Sequence, residues 1–192
     1  LALMPAPFSV SATTSEIFFS EYIEGSGYNK VIEIYNGTGG AIDLSPYTLE
    51  LYSNGAATPT AITSLSGILA DGDVYVIAHG HIEVAAEIKA AADDFNSSVI
   101  NFNGNDTVVL KKDSLVIDVI GQIGFDPGEY WGNGDVTTED HTLRRKETIC
   151  AGDTDGEDAF DPALEWGGFA VDTFDGLGTH TADCGGVVVD TA

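Results

Sequence analysis

Basic side chains are scarce. Seven Lys and Arg stand against 31 Asp and Glu over 192 residues, a formal net charge of −24 at pH 7. A surface of that sign repels a phosphate backbone, so direct non-specific nucleic-acid binding, which runs on Lys and Arg contacts to phosphate, is disfavoured. It attracts cations and suits salty or calcium-rich surroundings, while simple solubility accounts for it equally well. Long apolar runs are also missing. No stretch approaches the ~20 residues that cross a bilayer as a helix, so no membrane span is expected. Cysteine is limited to Cys150 and Cys184. Neither sits in a C-x-x-C pattern, which sets aside the common zinc and dithiol motifs. A reducing cytosol would leave both as thiols, whereas an export compartment would allow them to pair. There is no G-x-S-x-G elbow and no P-loop.

What is present is a globular, β-rich chain. The apolar content of 43% and the length suit one domain with a real core, burying roughly 70% of the unfolded surface. Short apolar runs alternate with Gly, Asn, Asp and Pro, the pattern of a sandwich or barrel. Strands are expected at Glu16–Ile23, Lys30–Tyr35, Tyr47–Tyr52, Val74–Ala78, Thr107–Lys111 and Leu115–Ile120, all rich in β-branched and aromatic residues. Val31 to Tyr35 alternates around Glu33 as a half-buried strand would. Lys112-Asp113-Ser114 joins the last two strands as a hairpin. One short helix is expected at Ile82–Ala92, where Val84, Ile88 and Ala91 share a face. From Phe125 onward periodicity fades, and a long wrapped extension is expected, docked by Trp131, Trp166, Phe169 and Phe174. Residues 1–14 read as a signal remnant or N-terminal arm, because Val10-Ser11-Ala12 has the small-residue character of a cleavage site. Residues 15–184 form the sandwich with its extension, and 185–192 a tail or the start of a linker.

Few residues propose chemistry. Asp153-Thr154-Asp155-Gly156-Glu157-Asp158 has the alternating oxygens and bend glycine of a calcium loop. Asp153, Asp155 and Glu157 are the candidate calcium ligands. The twelfth position is Leu164, so the loop is not an EF-hand, and a solvated acidic turn is the competing reading. His79 and His81 have a zinc-compatible spacing without an evident third ligand. Glu21 and Glu24 lie near Lys30 and Glu33, where a Glu–Lys pair across strands is the plainer reading than a glycosidase pair. Arg144, Arg145 and Lys146 form the only basic cluster, suited to neutralising nearby carboxylates or to touching a phosphate. The sequons at Asn36, Asn96 and Asn105 fall in turns, where Asn is common for conformational reasons.

Several tracts together resemble a known family. Phe19-Ser20-Glu21-Tyr22-Ile23-Glu24-Gly25, Asn29 to Asn36 and Ala41-Ile42-Asp43-Leu44 resemble the opening of a bacterial lamin-tail domain. Leu65-Ser66-Gly67, Gly72 to Ile77, Asn103-Gly104-Asn105-Asp106 and Val116 to Gly121 continue the likeness. Thr142 to Lys146, Ala151 to Thr154, Phe160-Asp161-Pro162, Asp172 to Gly178 and His180 extend it, so that it covers roughly residues 15–181. The later tracts are similar to the subset at the front of secreted bacterial extracellular nucleases. The resemblance implies an all-β, immunoglobulin-like β-sandwich, export, and catalysis carried elsewhere, on an endonuclease/exonuclease/phosphatase-type domain not visible in this chain. It offers no catalytic residue. With the glycine-rich extension it motivates a disulfide between Cys150 and Cys184. The expected function is a non-catalytic accessory module of a secreted nuclease or related hydrolase, for docking, targeting or spacing. The alternative is a stand-alone extracellular or cell-surface interaction domain. The expected partners are an attached catalytic domain or an extracellular molecule. Calcium is the one candidate cofactor.

Overall fold

The computed structural model describes residues 12–185 together with the backbone of the strands Phe8–Val10 and Val187–Val189. The other residues of the expected leader remnant and of the expected tail lie outside the described residues. In chain order the strands are β1 (Phe8–Val10), β2 (Phe18–Glu24), β3 (Lys30–Tyr35), β4 (Ile42–Asp43), β5 (Tyr47–Tyr52), β6 (Ala61–Ser64), β7 (Ile68–Leu69) and β8 (Val74–Ala78). They continue with β9 (Asp94–Phe95), β10 (Thr107–Lys112), β11 (Leu115–Ile120), β12 (Gly132–Asn133), β13 (Val136–Thr137), β14 (His141–Arg145), β15 (Trp166–Ala170) and β16 (Val187–Val189). Among the described residues two short α-helices, α1 (Ala86–Ala91) and α2 (Pro162–Glu165), interrupt them.

Two sheets make an immunoglobulin-like sandwich. One runs β15-β14-β2-β3-β8-β9 and the other β11-β10-β5-β6. Every pairing in them is antiparallel except β8 with β9. The strands alternate as period-2 geometry requires. Ile32 and Ile34 on β3 point into the core between the sheets, with Tyr22, Leu49, Val108, Leu110 and Ile120. Val31 and Tyr35 point to the opposite face, where they join Phe18, Ile23, Val74 and Val76 in a second cluster. Asp113 and Ser114 both take positive φ, 48° and 71°, the two-residue turn whose twist matches a hairpin.

The outer face of the six-stranded sheet is not left to solvent. Val84 and Ile88 from the α1 region cover one part, and Phe174, Leu177 and Ala182 from the C-terminal segment cover another. Helix α1 is shorter than the expected Ile82–Ala92. It begins after Ala85, whose amide donates to the Asn29 side chain, while His81 to Val84 form a turn. The second helix follows Asp161, whose carboxylate accepts from the Ala163 amide, and opens on Pro162, a favoured first residue.

The extension does more than wrap. It contributes β14, placed between β2 and β15, and β15 at the sheet edge. Edge strand β15 carries Gly168 because the chain at Asp135 crosses against it. A Cβ on Gly168 would lie 1.7 Å from the Asp135 carbonyl oxygen. Of the four aromatics expected to dock the extension, Trp131 and Trp166 are buried and Phe174 packs on the outer cluster. Phe169 is instead 38% exposed. Its ring carries the Arg144 guanidinium, 4.2 Å from its centroid.

Candidate functional site

The basic cluster is the point on which the extension is organised. On β14, Arg144 and Arg145 point to opposite sides. Arg145 enters the core, where its side chain and that of Asp118 on β11 are both fully buried and 3.2 Å apart. Asp118 also accepts the amides of Phe19, Val119 and Asp153 at 2.8–2.9 Å. The Phe19 amide is free to do so because Ser20 is a bulge in the β2–β3 ladder, and a bulge leaves ladder groups unpaired. Burial pushes the Asp118 carboxyl above its ordinary range, opposed by the Arg145 guanidinium and the three amides. Arg145 lies over the Trp166 ring at 4.8 Å and meets Glu165 at 3.1 Å. This set ties β2, β11, β14, β15 and the Asp153 loop together.

Arg144 works on the outer face. It reaches Glu21 at 3.2 Å and Asp175 at 2.5 Å. Glu21 faces Glu33 across the β2–β3 ladder, and both are almost wholly buried. The expectation of Glu33 on the polar side of a half-buried strand is corrected here, because the extension covers that side. Glu33 accepts from the Ser20 hydroxyl and from the Gly178 amide. Burial lifts Glu33 to about 7 and Glu21 to about 8, in the latter case against the pull of Arg144 and with the push of Glu33. Among the described residues Lys146 takes no carboxylate. Its ammonium donates to the carbonyls of Ala163 and Leu164 at the end of α2, as a cation at a helix C-terminus does. The expected Glu–Lys pair across strands is present as Glu24 with Lys30.

Cys150 and Cys184 form a disulfide, Cα atoms 5.7 Å apart. It fastens the end of the outer segment beside β14. The Asp153–Glu157 loop is built from successive side-chain turns: Asp153 accepts the Asp155 amide and Asp155 accepts the Glu157 amide. Gly156 is buried against Ile123. Asp153 is half-buried, while Asp155 and Glu157 are exposed. A groove of about 360 Å³ beside the loop is lined by Asp153, Thr154, Asp158, Asp161, Leu164 and Glu165, among others. Among the described residues no three His, Cys, Asp or Glu side chains converge as a metal-holding group. His79 and His81 each use Nδ1 to accept a backbone amide, of His81 and Glu83 respectively. An imidazole accepting at Nδ1 carries its proton on Nε2, so that neither ring nitrogen is free to ligate a metal without breaking the turn. Tyr28 stacks on His81 at 3.7 Å.

Asn36, the first residue of one sequon, is completely buried. Its amide donates to the carbonyls of Gly40, Leu69 and Ala70, and its oxygen accepts from Thr38. It knits two loops rather than presenting a side chain. Among the described residues no helix is long and apolar enough to cross a membrane.

A family model described as the lamin tail domain matches residues 10–124. No curated protein matches the chain. The matched span contains β2 to β11, and so all of the four-stranded sheet. Strands β14 and β15 of the six-stranded sheet and the disulfide-tied segment that covers its outer face lie beyond it.

Proposed function

The chain belongs to the lamin tail domain family, a non-enzymatic immunoglobulin-like family, and we propose from that membership that it is a non-catalytic accessory module of a secreted protein, a nuclease or related hydrolase. Its role in this reading is to dock, target or space the catalytic part. The observation that carries the reading is the use to which the polar residues are put. Asp118, Arg145, Glu21, Glu33, Arg144 and Asn36, the groups best suited to chemistry, are all engaged in joining strands to loops. The disulfide supports an oxidising destination. The −24 charge supports a partner other than a phosphate backbone.

Two measurements test the reading. The isolated chain is expected to leave DNA, RNA and phosphate esters intact with magnesium, manganese, calcium or zinc. Turnover that survives purification and disappears on substituting a residue of this chain overturns it. The coding frame is the second test, since a hydrolase domain encoded beside this one supports the accessory role. Calcium at Asp153, Asp155 and Glu157 is carried as a separable part of the proposal. The ion would have to gather three side chains, two of which already close turns. A calcium-dependent rise in Tm that magnesium does not give, and that Asp155→Asn abolishes, supports the site. An equal rise with magnesium, or in the variant, assigns the effect to general screening.

A further inference from the structure

Residues 171–184 cross the outer face of the six-stranded sheet without joining its ladder. The segment is fastened at both ends. Asp172 accepts from Ser26 and Asn29, and Cys184 is bonded to Cys150. Between these points Phe174 and Leu177 pack on the outer cluster. The His180 ring meets Phe18 and Tyr35 edge-on at 5.9 and 4.9 Å. Gly176 lies so close to Arg144 that a Cβ there would stand 2.3 Å from its Nε.

Under the middle of the segment lie Glu21 and Glu33, 2% and 0% exposed. They are register partners on adjacent strands, and like charges placed directly opposite repel. One guanidinium, that of Arg144, faces both of them and also the segment's own Asp175. Asp93 adds a further negative charge toward Glu33. Glu33 holds the Gly178 amide of the segment, and Oε1 of Glu21 is buried without a partner.

We propose that residues 171–184 form a tethered strap, laid on the sheet while Glu21 and Glu33 carry protons and lifted from it when both are ionised. With both protonated, Arg144 and Asp175 balance each other. With both ionised, the half-buried Arg144 guanidinium, already paired with the exposed Asp175, is left to balance two carboxylates closed to water, and such charges must be rehydrated. Water can reach them by one of two routes, through the ladder or by lifting what lies above. The ladder is bonded along β3 and β14 on either side of β2. The strap is held by side-chain bonds, one ladder-free backbone bond from the Asp183 amide to the Glu147 carbonyl, and the packing of Phe174, Leu177, Ala182 and His180, against a continuous run of ladder bonds in the sheet, so it yields first. Burial places the carboxyls at about 8 and about 7, which sets the lift in mildly alkaline solution. His180 faces Arg145 and Glu147 and is held down to about 4, first by burial, so it stays neutral throughout. The disulfide keeps the lifted strap attached.

Hydrogen exchange read by mass spectrometry on the full chain, corrected for intrinsic rates, tests this. Protection of strap peptides is expected to fall roughly tenfold or more between about pH 6 and about pH 9, while β3 and β10 keep theirs. Glu21→Gln preserves the shape and an acceptor for Arg144, and removes most of the fall. Equal protection at the two pH values overturns the proposal, as does an undiminished fall in the variant. A carboxyl-carbon NMR titration of the unmodified protein decides independently of any substitution. The loss of protection must coincide with ionisation of Glu21 and Glu33, and a separation above about one pH unit overturns it.

Discussion

Asp118 shows how one residue can hold a sandwich and its extension together. It is the single charge in the run Leu115–Ile120, and it receives three amides and a guanidinium from four separate parts of the chain. Truncating Asp118 leaves the buried Arg145 with only the partly exposed Glu165 as a counter-charge, and breaking a buried pair typically costs about 3–5 kcal/mol. Asp118→Ala is therefore expected to lower the unfolding free energy by about that amount in urea. The double variant Asp118→Ala with Arg145→Met removes the stranded cation as well and is expected to recover a substantial part of the loss. A double variant at least as unstable as the single one would refute the pairing as the cause. At this scale the sequence was partly readable. A lone Asp inside an apolar strand run signals a buried partner, and Arg145 follows in a Leu-Arg-Arg context. Nothing local could name the two as each other's partner, because 27 residues and a sheet-to-sheet crossing separate them.

At the scale of elements, strands whose side chains are all apolar or alternating were legible almost to the residue. Lys30–Tyr35, Tyr47–Tyr52, Val74–Ala78 and Leu115–Ile120 stand at their expected bounds. Strands β14 and β15 are not legible in the sequence, for a physical reason. Their faces are satisfied by ion pairing, cation–π stacking and close backbone approach, through Arg144, Arg145 and Gly168. None of these contributes to hydrophobic periodicity. The strap has no periodicity at all, and the disulfide restrains it instead. Closing a loop of sequence separation 34 constrains the unfolded chain by about 4 kcal/mol in the chain-entropy treatment. Replacing Cys150 and Cys184 by Ser is expected to lower stability by up to about that amount. The loss of exchange protection should concentrate in the strap and spare β3, β5 and β10. Uniform loss across both sheets would show that the bond supports the whole sandwich rather than the strap.

The molecule as a whole carries opposed titrations on an acidic background. Glu21 and Glu33 titrate at about 8 and about 7 in the fold, against an ordinary value of 4.5. Between those limits the folded state keeps protons that the unfolded chain has released. The stability they contribute is thus complete below about 4.5 and drains away as pH rises toward 8. His180 runs the other way. Half-buried and neutral, it titrates at about 4 against an ordinary 6.5, so its contribution is complete above 6.5 and is lost as pH falls through about 4. Above 6.5 only the glutamate pair among these three is still titrating, and the surface charge of −24 adds self-repulsion. Unfolding free energy measured by urea titration is therefore expected to decline from about pH 6.5 to about pH 8.5. Added sodium chloride should restore the part due to surface repulsion, which is screened within about 10 Å at 0.1 M. It should restore little of the part due to Glu21 and Glu33, which is set by burial of the two carboxyls and not by repulsion between surface charges. Glu21→Gln separates the two, since it removes one buried titration and leaves the surface almost unchanged. A decline that salt abolishes entirely, or that Glu21→Gln leaves as steep as before, would place the pH dependence on the surface alone.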